Sequence, residues 1–175
     1  GQIPLECGND INDFDEKKFL NNYKKVNYYN FQGSTWAPTL VHKDTWNKVG
    51  GFSEEYFPGT GSDPDFNMKL WNKGIRIFKG INNFKVYHFG SIVLRKKINE
   101  IHKYPKYGSK GAKIFLLKWG ISIKFFKRFY LQSDTIYQGP LNQPKINFNY
   151  FINYVLCKIN FYYLKFFYKK ILNHN

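Results

Sequence analysis

Hydrophobic residues recur at three- and four-residue spacing in the C-terminal part of the chain, which is the spacing of one helix face. The spacing predicts helices over 112–119, 121–130 and 146–172. The first two share an apolar stripe made of Phe115, Leu116, Trp119, Ile123 and Phe126. The third carries an apolar face of Phe148, Ile152, Val155, Ile159, Tyr163 and Phe166, with Lys158, Lys165 and Lys169 on a neighbouring flank.

The first half of the chain carries shorter patterns. A short helix is predicted from Phe14 onward and another over 45–49, with extended or strand segments at 35–41, 75–78 and 84–88. Helices this short hold their shape only when they dock on a core.

A compact unit is predicted around the carboxylate pair Asp63 and Asp65. We expect Asp63 to be the N-cap of a helix, Pro64 to take its first position and Gly74 to end it in the left-handed conformation. A strand after this helix would deliver His88 to an edge. The unit therefore gathers two carboxylates and an imidazole, which are groups used in acid–base chemistry and metal binding.

Composition indicates one domain with a true core, since the 175 residues are 43% hydrophobic and 21% aromatic. The net charge of +15 is uneven: residues 1–100 hold 14 Lys/Arg against 11 Asp/Glu, and residues 101–175 hold 13 against one. Such a basic region favours an anionic partner, either phosphate, nucleic acid or an acidic membrane face. An AT-rich coding sequence would also enrich Lys, Asn, Ile, Tyr and Phe, so both explanations stay open.

The two cysteines, Cys7 and Cys157, lie far apart and have no zinc-ligand spacing, so a reducing compartment is the default expectation. No charged and apolar signal peptide opens the sequence. Gly1 is not an initiator and the first methionine is Met68, so we expect the chain to be a fragment or a processed piece.

Six features stand in the order and at the spacing of the C-terminal half of the family 2 nucleotide-sugar glycosyltransferases, and the chain resembles that family over residues 33–91. They are Gly33, Pro38, 49–54 (VGGFSE), 62–65 (SDPD), 74–77 (GIRI) and 86–88 (VYH). The likeness extends over residues 1–140 to a subgroup found in large DNA viruses and marine microbes. It implies an α/β fold, the C-terminal half of a Rossmann-like GT-A domain, followed by basic amphipathic helices and a tail at 141–175.

The resemblance implies that a sugar passes from a nucleotide-sugar donor to an acceptor hydroxyl, with inversion. Asp63 matches the family's general base and Asp65 is the alternative, although Ser62 stands where the family usually has Glu. We expect Trp36, Gly61 and Ser62 to contact the acceptor or its sugar. The acceptor would be a glycan, a lipid-linked molecule or a protein.

The leaving diphosphate needs positive charge, which a divalent metal and basic side chains supply. Arg95, Lys96 and Lys97 are the diphosphate candidates, and His88 is a candidate ligand for Mn²⁺ or Mg²⁺. The family's main Asp-x-Asp metal ligands belong to an early, donor-binding half that this chain lacks. We therefore expect the chain to be inactive on its own.

The tail allows a second kind of partner. The uncharged run 146–157 is 12 residues long, shorter than the roughly 17–25 that span a bilayer, and an in-plane helix on an anionic membrane fits it. Packing of the same face on the protein's own core is the alternative. We expect a cytoplasmic protein, or one at the cytoplasmic face of a membrane.

Two other functions stay open: a non-catalytic peripheral membrane domain, and a basic nucleic-acid-binding module. The second is suggested by 108–111 (GSKG), which has the GXXG form of KH domains. Nucleic acid is the less favoured partner.

Overall fold

The computed structural model describes residues 5–25, 29–33, 35, 38–57, 59–89 and 107–172, with the backbone alone at 107–109 and 168–172. The helices are α1 Glu16–Asn22, α2 Lys43–Val49, α3 Ser62–Asn72, α4 Tyr107–Trp119, α5 Ile123–Phe125 and α6 Phe148–Leu172. A 3-10 turn, Glu54–Tyr56, precedes α3, and a π-helical turn, Phe126–Tyr130, continues α5. The strands are β1 Phe31–Gln32 and β2 Lys79–Gly80.

Helix α3 lies at the centre of the body, and its residues 65–68, 70 and 71 are buried. It ends as predicted at Gly74, whose φ is 86°. The Ile75 amide donates to the Leu70 carbonyl at 3.1 Å and the Gly74 amide donates to the Trp71 carbonyl at 3.0 Å, which is the Schellman pattern. The Arg76 guanidinium then stacks on the Trp71 ring, with its Cζ 3.9 Å from the ring centroid, and so covers the end of the helix.

The strands predicted at 75–78 and 84–88 are wrong. Strand β2 begins at Lys79 and pairs antiparallel with β1, with Phe31 opposite Gly80. Before it, the Arg76 carbonyl accepts from the Leu141 amide at 2.8 Å, and the Phe78 carbonyl accepts from the Gly33 amide at 2.7 Å. The described residues are thus mainly helical with a two-stranded sheet, and the α/β fold of a partial GT-A domain remains a prediction for this chain.

Segment 84–88 is held by side chains instead of a ladder. The Tyr87 hydroxyl accepts a hydrogen bond from the Cys7 amide at 3.0 Å and donates to the Gly8 carbonyl at 2.8 Å. The Tyr87 ring also contacts Phe14 and Phe19, with centroids 5.0 and 5.6 Å away. These contacts fix the N-terminal segment and α1 against the residues that lead to His88.

The core forms where α3, α4, α5 and α6 meet. Phe115, Leu116 and Phe126 of the predicted stripe are buried, and Trp119 and Ile123 pack against the core, which confirms that stripe. The periodicity predicted the stripe correctly because both helices turn their apolar side toward the same core.

The tail shares this core. Leu141 and Cys157 are buried members of it, and the Cys157 sulfur accepts from the Ser122 amide at 3.4 Å. The residues of α6 that turn toward the core are Tyr150, Tyr154, Cys157, Phe161 and Leu164.

The apolar face predicted for the tail points away from this core. All six of its positions, Phe148, Ile152, Val155, Ile159, Tyr163 and Phe166, are exposed. The alternative in which this face packs on the protein's own core is therefore wrong for the described residues. None of the helices in the described part of the chain has the length and apolar character needed to cross a bilayer.

Candidate functional site

The loop before α3 winds directly into the helix. Gly61 is the N-cap in the left-handed conformation, with φ 94°, and makes no side-chain cap. The Ser62 hydroxyl donates to the Gly59 carbonyl at 2.6 Å and the Asp65 amide donates to the Gly61 carbonyl at 3.2 Å. The helix therefore begins at Ser62, and the expectation that Asp63 is the N-cap is wrong by two positions.

Asp63 lies in the first turn of α3, where the backbone amides favour a negative charge. Its side chain is half-buried, and this burial raises the pKa of its carboxyl above the ordinary value, while the nearby His88 acts in the opposite direction. His88 itself is exposed. The structure thus leaves Asp63 as a partly desolvated carboxylate within electrostatic range of the exposed His88.

Asp65 is in a different environment, with no exposed surface. Its Oδ2 accepts from the Ser53 hydroxyl at 2.7 Å, and its Oδ1 accepts from Trp119 Nε1 at 2.8 Å and from the Tyr56 hydroxyl at 3.3 Å. Burial alone would raise the pKa of this carboxyl, but the hydrogen bonds from Ser53, Lys118 and Trp119 hold it below the ordinary value.

Lys118 of α4 supplies the counter-charge for Asp65. Its Nζ lies 3.0 Å from Asp65 Oδ1, 2.6 Å from Glu55 Oε1 and 3.1 Å from the Ser53 hydroxyl. Lys69 approaches from the other side, 3.7 Å from Asp65 Oδ2. Asp65 therefore joins α3, α4 and the 3-10 turn, and a buried carboxylate satisfied in this way is a structural anchor.

This geometry corrects the role of Asp65 as alternative base. Both of its oxygens already accept bonds inside the protein, so neither is open to an acceptor hydroxyl. Asp63 is the carboxylate of the pair that remains partly accessible.

Close packing explains the glycines around the site. A Cβ on Gly61 would lie 3.1 Å from the Tyr56 ring, and a Cβ on Gly111 would overlap the Thr60 carbonyl. Gly111 belongs to α4, whose first turns contain the GSKG sequence 108–111. These glycines therefore allow helix-to-loop contact, and the sequence is not a loop between elements as a GXXG clamp would be.

Four predicted site residues lie outside the described residues. They are Trp36, Arg95, Lys96 and Lys97. Within the described ranges no three His, Cys, Asp or Glu side chains gather as a metal site. Asp63 and His88 are of the types that bind Mn²⁺, and they would supply at most part of its shell.

Sequence reasoning missed the anchor around Asp65. Ser53, Tyr56, Lys118 and Trp119 are its partners, and two of them are more than 50 positions away along the chain. The one local signal is the Asp65–Lys69 pair at the i,i+4 spacing.

A scan against protein-family models and searches of curated proteins and of solved structures each found no match to this chain.

Proposed function

We propose that this chain is the acceptor-side part of a nucleotide-sugar glycosyltransferase in which Asp63 is the general base. The observation that carries the proposal is the state of Asp63: half-buried in the first turn of α3, with a raised pKa and within electrostatic range of His88. A carboxylate whose pKa moves toward the working pH is a better proton acceptor.

The reaction would proceed by direct displacement. The acceptor hydroxyl gives its proton to the Asp63 carboxylate as its oxygen bonds to the anomeric carbon. The bond from that carbon to the diphosphate oxygen breaks at the same time, and the nucleoside diphosphate leaves with the electron pair. Proton transfer of this kind contributes about 10²–10⁴-fold to a rate.

Asp65 acts through position in this proposal. Because Ser53, Trp119 and Lys118 hold its carboxylate, the first turn of α3 has one orientation, and the Asp63 side chain is carried with it. Gly61 and Ser62 form the bend on which the acceptor would lie.

The donor-binding half would come from residues outside this chain, together with the Asp-x-Asp ligands for Mn²⁺ or Mg²⁺. When bound, the metal would neutralise charge on the departing diphosphate. His88 would contact that metal or a phosphate oxygen. The acceptor would be a glycan, a lipid-linked molecule or a protein, reached in the cytoplasm or at the cytoplasmic face of a membrane.

The test is Asp63→Asn in the enzyme that joins this chain to a donor-binding half. We expect kcat to fall by about 10²–10⁴-fold with the donor dissociation constant unchanged, since the amide cannot take the proton. Sugar transfer measured with labelled donor, and donor binding measured by calorimetry, give the two numbers.

Asp44→Asn is the matched control, because Asp44 also lies in the first turn of a helix, α2, but on the exposed surface. Its kcat should stay at the wild-type value. Unchanged turnover in Asp63→Asn would refute the role of Asp63 as general base. Sugar transfer by the 175-residue chain alone would refute the claim that a separate donor-binding half is required.

A further inference from the structure

Helix α6 presents a continuous apolar surface on the side opposite the core. Ten of its aromatic and aliphatic side chains are between 37% and 79% exposed. They are Phe148, Phe151, Ile152, Val155, Leu156, Ile159, Tyr162, Tyr163, Phe166 and Phe167, which we call the outer face. An exposed apolar surface of this extent is a site of association.

The borders of the outer face are polar and carry positive charge. Successive helix residues are about 100° apart, so Lys158 and Lys165 fall together on one border, and Asn149, Asn153 and Asn160 fall on the other. Lys158 Nζ lies 4.9 Å from the Tyr154 ring centroid, at the boundary between the core side and the outer face. The sequence holds no Asp or Glu after Asp134, so no carboxylate of α6 offsets these lysines.

A small cleft adjoins the asparagine border. It has a volume of about 130 Å³ and lies between α6 and the α5 region. Its polar lining consists of Ser122, Lys124, Arg128, Asn153 and Asn160. Two exposed cations with hydroxyl and amide groups suit a phosphate group.

We propose that the outer face of α6 docks in the plane of an anionic lipid bilayer, with Lys124 and Arg128 at the cleft contacting lipid phosphates. Aromatic and aliphatic side chains enter the boundary between headgroups and acyl chains, and the bordering cations bind the negative surface. This proposal is independent of the transferase activity.

Charge argues for this occupant over a second copy of the chain. Two outer faces in contact would bring two lysine-bordered helices together with no carboxylate of α6 to neutralise them. Residues 101–175 carry 13 Lys/Arg and one acidic residue, so the two C-terminal parts repel each other.

The test is flotation of the 175-residue chain with vesicles of phosphatidylcholine alone or mixed with phosphatidylserine. We expect strong binding to the mixed vesicles, weak binding to phosphatidylcholine, and weaker binding at high salt.

Two pairs of variants separate the apolar and ionic contributions. Ile159→Glu with Phe166→Glu, at the middle of the outer face, should lower the partition coefficient at least tenfold. Ile11→Glu with Leu40→Glu is the matched control, because these exposed apolar residues belong to segments other than α6, and it should lose far less.

Lys124→Gln with Arg128→Gln should weaken binding to the mixed vesicles by about fivefold for each cation. Its control, Lys17→Gln with Lys43→Gln, removes two exposed charges that do not line the cleft and should bind nearly as wild type. Circular dichroism shows whether each variant is folded. If Ile159→Glu with Phe166→Glu is unfolded, the vesicle binding of Lys124→Gln with Arg128→Gln tests the proposal.

Three results would overturn the proposal. The folded chain stays unbound with mixed vesicles; or it forms a dimer that the glutamate pair dissociates, without vesicle binding; or it binds single-stranded RNA through the same residues and ignores vesicles.

Discussion

Asp63 and Asp65 are two positions apart and differ in almost every physical respect. The Asp63 side chain is half-buried, and burial raises its pKa. The Asp65 side chain is fully buried, and hydrogen bonds from Ser53, Lys118 and Trp119 lower its pKa. Pairs of carboxylates with diverging pKa values mark a division of roles. Here one carboxylate is suited to accept a proton and the other to hold the site in place.

The raised pKa of Asp63 predicts that Asp63→Asn increases stability. A carboxyl whose folded pKa exceeds its unfolded value binds its proton more tightly when folded, so stability falls as pH rises from the unfolded pKa through the folded one. Above that window the ionised form carries the full cost of burial, which asparagine avoids. Urea unfolding should give a higher midpoint for Asp63→Asn at pH 7, with the advantage shrinking as pH falls below the folded pKa.

Asp44→Asn again serves as the comparison and should show no such gain, because its side chain is exposed. A lower midpoint for Asp63→Asn at pH 7 would mean that the ionised carboxylate stabilises the fold, which contradicts its raised pKa.

Lys118→Met should destabilise the protein by about 3 kcal/mol, because it leaves the buried Asp65 charge without its closest cation. The remaining donors, Ser53, Tyr56 and Trp119, keep the loss from being larger. The lowered pKa of Asp65 sets the pH dependence: this stability is present above the unfolded pKa and is lost as pH falls through the folded one. Urea denaturation at several pH values measures both effects.

Lys113→Met, on the exposed side of the same helix, should change the unfolding free energy by less than about 0.5 kcal/mol. Equal losses in the two variants would mean that the contact between Lys118 and Asp65 adds nothing.

For single residues, the sequence identified Asp63 and Asp65 as important but did not give the role of each. The helix-start chemistry of SDPD identified Asp63 and Asp65 together, and the local signal that separates them is the lysine four positions after Asp65, Lys69. Their difference arises from Lys118 and Trp119, which reach Asp65 from a helix more than 50 positions later.

Among the elements, α4 has the tightest contact with the site. Its residue Gly111 lies against the Thr60 carbonyl with no room for a side chain. We expect Gly111→Ala to cost about 1–3 kcal/mol through overpacking, although alanine is the better helix former by about 1 kcal/mol. Thermal and urea unfolding both measure this loss.

Ala112→Gly is the control: Ala112 is the next residue and is exposed, so its loss of stability measures the difference in helix propensity without a packing contribution. If propensity governed both sites, Gly111→Ala would raise stability by about as much as Ala112→Gly lowers it. That outcome would show that α4 does not pack closely on the loop.

The elements that the sequence predicted well are those with long, regular periodicity. The helices predicted over 112–119, 121–130 and 146–172 have regular apolar spacing, and the structure has helices at Tyr107–Trp119, at Ile123–Phe125 continued by Phe126–Tyr130, and at Phe148–Leu172. The predicted strands at 75–78 and 84–88 were only four and five residues long, and at 84–88 the Tyr87 side chain makes the bonds that hold the segment. A short apolar run does not specify its partner, so tertiary contacts decide its conformation.

At the scale of the whole molecule, α4 links the two proposed surfaces. Its start packs on the loop that leads into α3, its end holds Asp65 through Lys118 and Trp119, and the core it shares includes Cys157 of α6. Periodicity predicted which α6 residues share a face. It did not predict which face turns outward, because both sides of α6 are apolar.

The composition of α6 has a consequence for when this helix exists at all. Of its 25 residues, 17 are aromatic, β-branched or asparagine, which are poor helix formers, and the 14 aromatic and β-branched ones are good strand formers. An isolated segment of this kind gains little from the helical state in water. The helical state of α6 therefore depends on the side that packs against the core. Any surface that covers the outer face would further stabilise a helix that the sequence of α6 only weakly favours by itself.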